Sequence, residues 1–118
     1  MFDIGTDIED INRFKKYSRE KDKNFLESIF STEELEYSFS QKKYAQHLAV
    51  RFCAKEAFIK AVSDMNIQLK HNEIKILNKQ NGKPEIKLPD KFKDFVCKVS
   101  LSHDKNKAVA FVTVERYK

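Results

Sequence analysis

The chain has 118 residues, 41% of them apolar, with 23 Lys and Arg against 18 Asp and Glu for a net charge of +5. Ten Phe are too many for a disordered chain, yet so short a chain buries only about two-thirds of its unfolded surface, so a partner chain would help complete the core. No apolar run approaches the roughly 20 residues of a membrane span, and no signal-peptide pattern opens the chain, so a cytoplasmic protein is expected.

The first eight residues, MFDIGTDI, alternate as a strand, with Phe2 and Ile4 on one face and Asp3, Gly5 and Asp7 on the other. A helix is expected from Glu9 or Asp10, with Ile8, Ile11 and Phe14 as its apolar positions. Between Arg13 and Asn24 it would carry six bases against two acids. Ser31 through Glu34 spells a capping box, which starts a second helix through ELEYSF. The third helix, about Lys42 to Met65, is the longest. The period then changes to two. EIKIL (73–77) and EIKL (85–88) read as a hairpin turning at Asn81-Gly82, and FVCKVSLS (95–102) and AVAFVTVE (108–115) flank a polar turn, HDKNK. This order predicts one α+β domain over residues 1–118, a mostly antiparallel sheet packed on a long central helix. Cys53 and Cys97 are too isolated for a disulfide framework or a zinc site and read as reduced thiols.

RFCAKEAFIKAV (51–62) sets Arg51, Lys55, Glu56 and Lys60 into an apolar helix. Stepped at about 100° per residue, Leu48, Phe52, Ile59 and Ala45 form one apolar face, with Glu56 at its edge. The opposite side, Ala54, Ala57, Phe58 and Ala61, is apolar too, so the helix is expected to be buried on both sides. Buried charges need partners. The plainer reading pairs Glu56 with Lys60 along the helix. It leaves Arg51 and Lys55 without a counter-charge, which a bound polyanion would supply, as would an anion bridged to Glu56 by a hard cation. Asp7, at the end of the first strand, is the candidate second carboxylate for such a cation. The alternative for Asp7 is a capping acid before the first helix.

IGTDIEDINRF (4–14), RFCAKEAFIKA (51–61), NGKP (81–84) and SLSHDKNKAVAFV (100–112) resemble, in order and spacing, the holo-acyl-carrier-protein synthases, small bacterial phosphopantetheinyl transferases. The resemblance runs nearly end to end. It implies transfer of the 4′-phosphopantetheine arm of coenzyme A to a serine of apo-acyl carrier protein in fatty acid biosynthesis, with release of 3′,5′-ADP. It also implies a homotrimer with active sites at subunit interfaces.

Carried over by position, the resemblance makes Asp7 and Glu56 ligands of Mg²⁺ and gives Glu56 the proton of the attacking serine. Lys60 would hold a coenzyme A phosphate, and Arg51 would help with phosphate or with helix packing. Gly82, Lys83 and Pro84 would lie along the nucleotide, with Lys83 reaching its 3′-phosphate. His103 would sit near the phosphates, while Asp104 either joins it or only starts a turn. Arg13, Lys16 and Arg19 would form a basic helix that meets the acidic carrier. His47 and His71 read as surface residues. The rival reading is a non-catalytic basic module for an acidic protein; nothing suggests nucleic acid or membrane as a partner.

Overall fold

The first stretch forms one strand, β1 (Phe2–Asp10), which runs longer than its sequence suggests. The structure is a computed structural model that describes residues 2–117; Met1 and Lys118, the ends of the expected domain, lie outside the described residues. The helix expected from Glu9 or Asp10 does not form. Glu9 and Asp10 still pair with Ala108 and Lys107 of the last strand, and only a 3-10 turn, Ile11–Phe14, follows. Asp10 makes no side-chain cap, while Ile11 N–H donates to Asn106 O at 2.8 Å and Ile11 and Phe14 are buried. Strand pairing and burial thus claim the backbone that a helix would need.

Three helices follow: α1 (Lys23–Ile29), α2 (Thr32–Ser40) and α3 (Tyr44–Ala61). The capping box at the head of α2 is present: Glu34 N–H donates to Ser31 Oγ and Ser31 N–H to Glu34 Oε1. The hairpin pairs β2 (Lys75–Asn78) with β3 (Pro84–Lys87). Its turn needs Gly82, whose φ of +87° lies in the left-handed region. β4 (Phe95–His103) and β5 (Lys107–Arg116) complete an antiparallel sheet of order β1-β5-β4, while β2 and β3 form a separate two-stranded sheet. The α+β class and the antiparallel pairing match the expectation.

Helix α3 lies directly on β1 at Gly5. A Cβ there would stand 1.9 Å from Ala57 O and 2.8 Å from Ala61 N, so only glycine permits this approach. α3 is buried on both sides, as expected, but its own chain does the covering. Leu48 and Ala49 pack with Ile11, Phe14, Leu26, Phe30 and Leu35, and Ala54, Ala57, Phe58 and Ala61 pack with Ile74, Ile76, Val112 and Val114. The far face of the helix therefore cannot be what a second chain covers.

Among the described residues, the outer face of the three-stranded sheet is a contiguous uncovered apolar surface. Phe2, Ile4 and Ile8 of β1, Val109 and Phe111 of β5 and Val96 of β4 are all exposed. On β1 the apolar alternation points outward and the acidic one inward toward α3.

Candidate active site

Period-two alternation puts Asp7 and Glu9 on the inner face of β1, in line with Gly5. Because α3 approaches so closely, its last turn reaches them. Lys60 Nζ donates to Thr6 O at 3.1 Å and to Asp7 Oδ1 at 2.9 Å. Asp7 Oδ2 is buried and has no hydrogen-bond partner. Burial works to raise the Asp7 pKa, but the neighbouring Glu9 carboxyl and the hydrogen bond and charge of Lys60 outweigh it and hold the carboxyl below its ordinary value. Burial, followed by the neighbouring Asp7 carboxylate, pushes Glu9 up to about 7. The Glu56 charge adds to that rise, so three carboxylates feel one another here.

Three expectations about α3 change. Glu56 and Lys60 do not pair along the helix: Lys60 turns to Asp7, and Glu56 Oε2 meets His71 Nε2 at 2.6 Å. Lys60 is also exposed rather than buried, its side chain 58% accessible. Lys55 needs no bound anion. It is fully buried, and its ammonium donates to Glu34 Oε1 and His71 O at 2.8 Å each, and to Ile74 O.

Arg51, Gly82, Lys83, Pro84 and His103 all line one cavity of about 390 Å³ between α3, the β2–β3 turn and the end of β4. Arg51 is buried, with its guanidinium 4.7 Å from the Tyr37 ring centroid. Its Nη atoms donate to His47 O and Asn78 Oδ1, and its Nε has no partner. His47 lines the same cavity, edge-on to Tyr37, and is not a plain surface residue; burial, then the charges of Arg51 and His103, holds its pKa down. Asp104 starts the turn after β4: its Oδ1 accepts from Asn106 N–H and Lys107 N–H at 2.7 Å each. A second cavity of about 720 Å³ shares Gln46 and His103 with the first and carries Lys15, Lys42, Lys43 and Lys105.

Arg13, Lys16 and Arg19 do not share a helix. Arg13 sits in the 3-10 turn, donates to Glu9 Oε1 at 2.9 Å and lies over the Phe14 and Phe52 rings. Lys16 lies over Tyr17, and Arg19 precedes α1 in an irregular segment. All three remain on the surface.

The sequence assigns His47 and His71 to the surface and gives no site role to Glu9, Tyr37 and Asn78, all of which the fold brings to the site. Glu9 was open to the same period-two argument as Asp7, two residues earlier on the face. The others come to the site through tertiary packing, which leaves no local signal.

Comparison with known proteins supplies the context. A family model described as the 4′-phosphopantetheinyl transferase superfamily matches residues 3–112. A holo-[acyl-carrier-protein] synthase of Geobacter sp. (strain M21) is 37% identical over 98% of this chain and 99% of its own. Among solved structures, a holo-(acyl-carrier-protein) synthase from Bacillus anthracis str. Ames in complex with CoA (3′,5′-ADP) superposes with a TM-score of 0.79 at 30% identity, covering 98% of this chain and 96% of that one. The holo-[acyl-carrier-protein] synthase of Helicobacter pylori in complex with coenzyme A gives a TM-score of 0.79 at 30% identity over 95% and 99% of the two chains.

Proposed function

The chain belongs to the 4′-phosphopantetheinyl transferase superfamily, and from that premise we propose how its residues carry the family's reaction. The activity is transfer of the phosphopantetheine group from coenzyme A to apo-acyl carrier protein, the reaction its relatives are named for. The rival reading, a non-catalytic basic module, has no support.

We assign Asp7 and Glu56 as the ligands of Mg²⁺. What supports this is the fit of the donors: Asp7 Oδ2 is buried without a partner, and Glu9 beside it is held near 7 by burial and by Asp7. A hard divalent cation takes carboxylate oxygens and leaves positions for phosphate and water. When bound, it supplies a Lewis acid for the pyrophosphate oxygens. Lys60 holds a coenzyme A phosphate beside Asp7. Arg51, Gly82, Lys83, Pro84 and His103 form the nucleotide cavity, with Lys83 directed to the 3′-phosphate. Glu56 accepts the proton of the carrier serine, directly or through a water. The serine oxygen–phosphorus bond forms as the bridging phosphorus–oxygen bond breaks, and 3′,5′-ADP leaves. Stabilising the charge that spreads over the phosphoryl oxygens is the main task of such a site.

The acidic carrier docks on Arg13, Lys16 and Arg19 through charge complementarity rather than along one basic helix. The exposed apolar sheet face supports self-association, and a homotrimer with shared active sites is the assembly we propose. No described helix is long and apolar enough to cross a membrane, and we place the enzyme in the cytoplasm, in fatty acid biosynthesis.

The observation that carries the reading is convergence: Arg51, the 82–84 turn and His103, far apart in the chain, meet around one cavity. The test is to incubate the protein with coenzyme A, Mg²⁺ and apo-acyl carrier protein and weigh the carrier. A gain of one phosphopantetheine group, dependent on coenzyme A, is expected; an unchanged carrier mass overturns the reading.

A further inference from the structure

Glu56 is held from outside its own helix. His71 Nε2 lies 2.6 Å from Glu56 Oε2, and a ring nitrogen facing a carboxylate at that distance donates its N–H. Two other contacts fix the imidazole. Its ring stacks on Phe52, one turn before Glu56 on α3, with planes within 6° and centroids 5.9 Å apart. Its backbone is pinned as well, because His71 O accepts from the buried ammonium of Lys55, itself paired with Glu34. Glu73 N–H donates to Lys70 O and closes the 3-10 turn that carries the histidine.

A glutamate on a half-exposed helix face samples several rotamers, and locking one costs conformational entropy. A neighbour already immobilised by ring and backbone can impose that rotamer. The pair contributes little to stability, since both side chains remain 32% accessible. What the contact does change is which carboxylate oxygen is free. Oε1 has no hydrogen-bond partner among the described residues.

We propose that His71 is a positioning residue for the transfer reaction: its N–H holds Glu56 Oε2 and leaves Oε1 as the oxygen offered to the reaction. This rests on the assignment of Glu56 made above.

Two substitutions separate the hydrogen bond from the ring. His71→Phe keeps a ring on Phe52 and removes the donor; His71→Gln loses the ring and keeps a donor near the place of Nε2. His71→Phe is expected to lower kcat roughly 10-fold or more, the usual effect of removing a group that orients a ligand, with both KM values nearly unchanged. His71→Gln should restore most of that loss. Retention of Mn²⁺ in the presence of coenzyme A, followed by electron paramagnetic resonance, should weaken in the Phe variant and recover in the Gln variant. Melting temperatures should match that of the wild type. The proposal is overturned if His71→Phe behaves as wild type in both measurements. Equal losses in the two variants, or a loss that tracks a lower melting temperature, overturn it as well. Glu56→Gln is the control. If it transfers at full rate, the assignment of Glu56 fails and takes the proposal with it; if it is inactive while His71→Phe is unaffected, the proposal fails alone.

Discussion

Lys60 and Asp7, 53 positions apart in the chain, meet at 2.9 Å because α3 lies against the bare backbone of Gly5. The contact occupies only one carboxylate oxygen. Oδ1 takes the lysine, and Oδ2 is left buried and unpartnered. A buried oxygen without a donor is costly to keep, which makes its environment a candidate for a ligand absent from the protein alone.

Asp7→Ala and Glu56→Ala should therefore each abolish transfer and leave folding nearly intact, since Lys60 is exposed and its ion pair is a weak contributor to stability. EDTA should stop the wild type, and added Mg²⁺ should restore it. Rates of carrier modification, read beside circular dichroism, test this. Substantial transfer in both variants would sink the metal assignment.

The Lys55–Glu34 pair calls for the opposite outcome. Both side chains are completely buried, and the Glu34 carboxylate also accepts from Ser31 N–H and Ile76 N–H. Lys55→Met leaves that charge without its cation and should cost about 3–5 kcal/mol in urea unfolding. Adding Glu34→Leu should recover part of the loss but not all, because two backbone donors then lack an acceptor. A Lys55→Met protein as stable as the wild type would show that the pair is dispensable.

The same pair shows where the sequence stops being legible. Ser31 and Glu34 announce a capping box by local spacing, and the box is present. Nothing local says that Glu34 will also meet Lys55 on another helix, so the lysine looked like part of an anion site. The strands, the second helix and the hairpin at Gly82 were readable because period and turn chemistry are local properties. The helix expected after Asp7 failed because pairing with β5, a partner about 100 residues away in the chain, overrode the local pattern. Asp7, Glu56, Arg51 and His103 enter as candidates through resemblance joined to residue chemistry, not through any local pattern. His71 was missed because its role depends on a ring stack and a backbone contact that only folding creates.

The outer sheet face gives a test of assembly. Phe111 is 46% exposed and Ile8 61% exposed, on adjacent strands of the sheet. An apolar patch of this kind on a chain of 13.9 kDa should be covered by further copies. Light scattering should give a mass well above that of one chain at micromolar concentration. Ile8→Lys on the edge strand and Phe111→Lys on the central one should each yield folded monomers, and transfer should fall with the assembly if the sites are shared. A wild-type monomer at full activity would refute the shared-site arrangement.

The two substrates should respond differently to surface charge. Attraction between an acidic carrier and Lys16 or Arg19 acts through solvent, where it is screened beyond about 8–10 Å at ordinary salt. These two bases suit the test better than Arg13, which is tied to Glu9 and to two aromatic rings. Lys83 instead lines the open cavity beside the buried Arg51, where it would touch the nucleotide phosphate directly, and a contact pair is screened less than an attraction acting across solvent. Lys16→Ala combined with Arg19→Ala should raise the carrier KM severalfold and leave the coenzyme A KM nearly unchanged. Lys83→Ala should do the reverse. Salt at about 0.5 M, where the screening length is only a few ångströms, should imitate the double variant more closely than the Lys83 variant. Saturation curves for both substrates, at low and high salt, supply the measurement. If the double variant weakens coenzyme A and carrier equally, the carrier does not dock through Lys16 and Arg19, and their charge acts on the cavity from a distance.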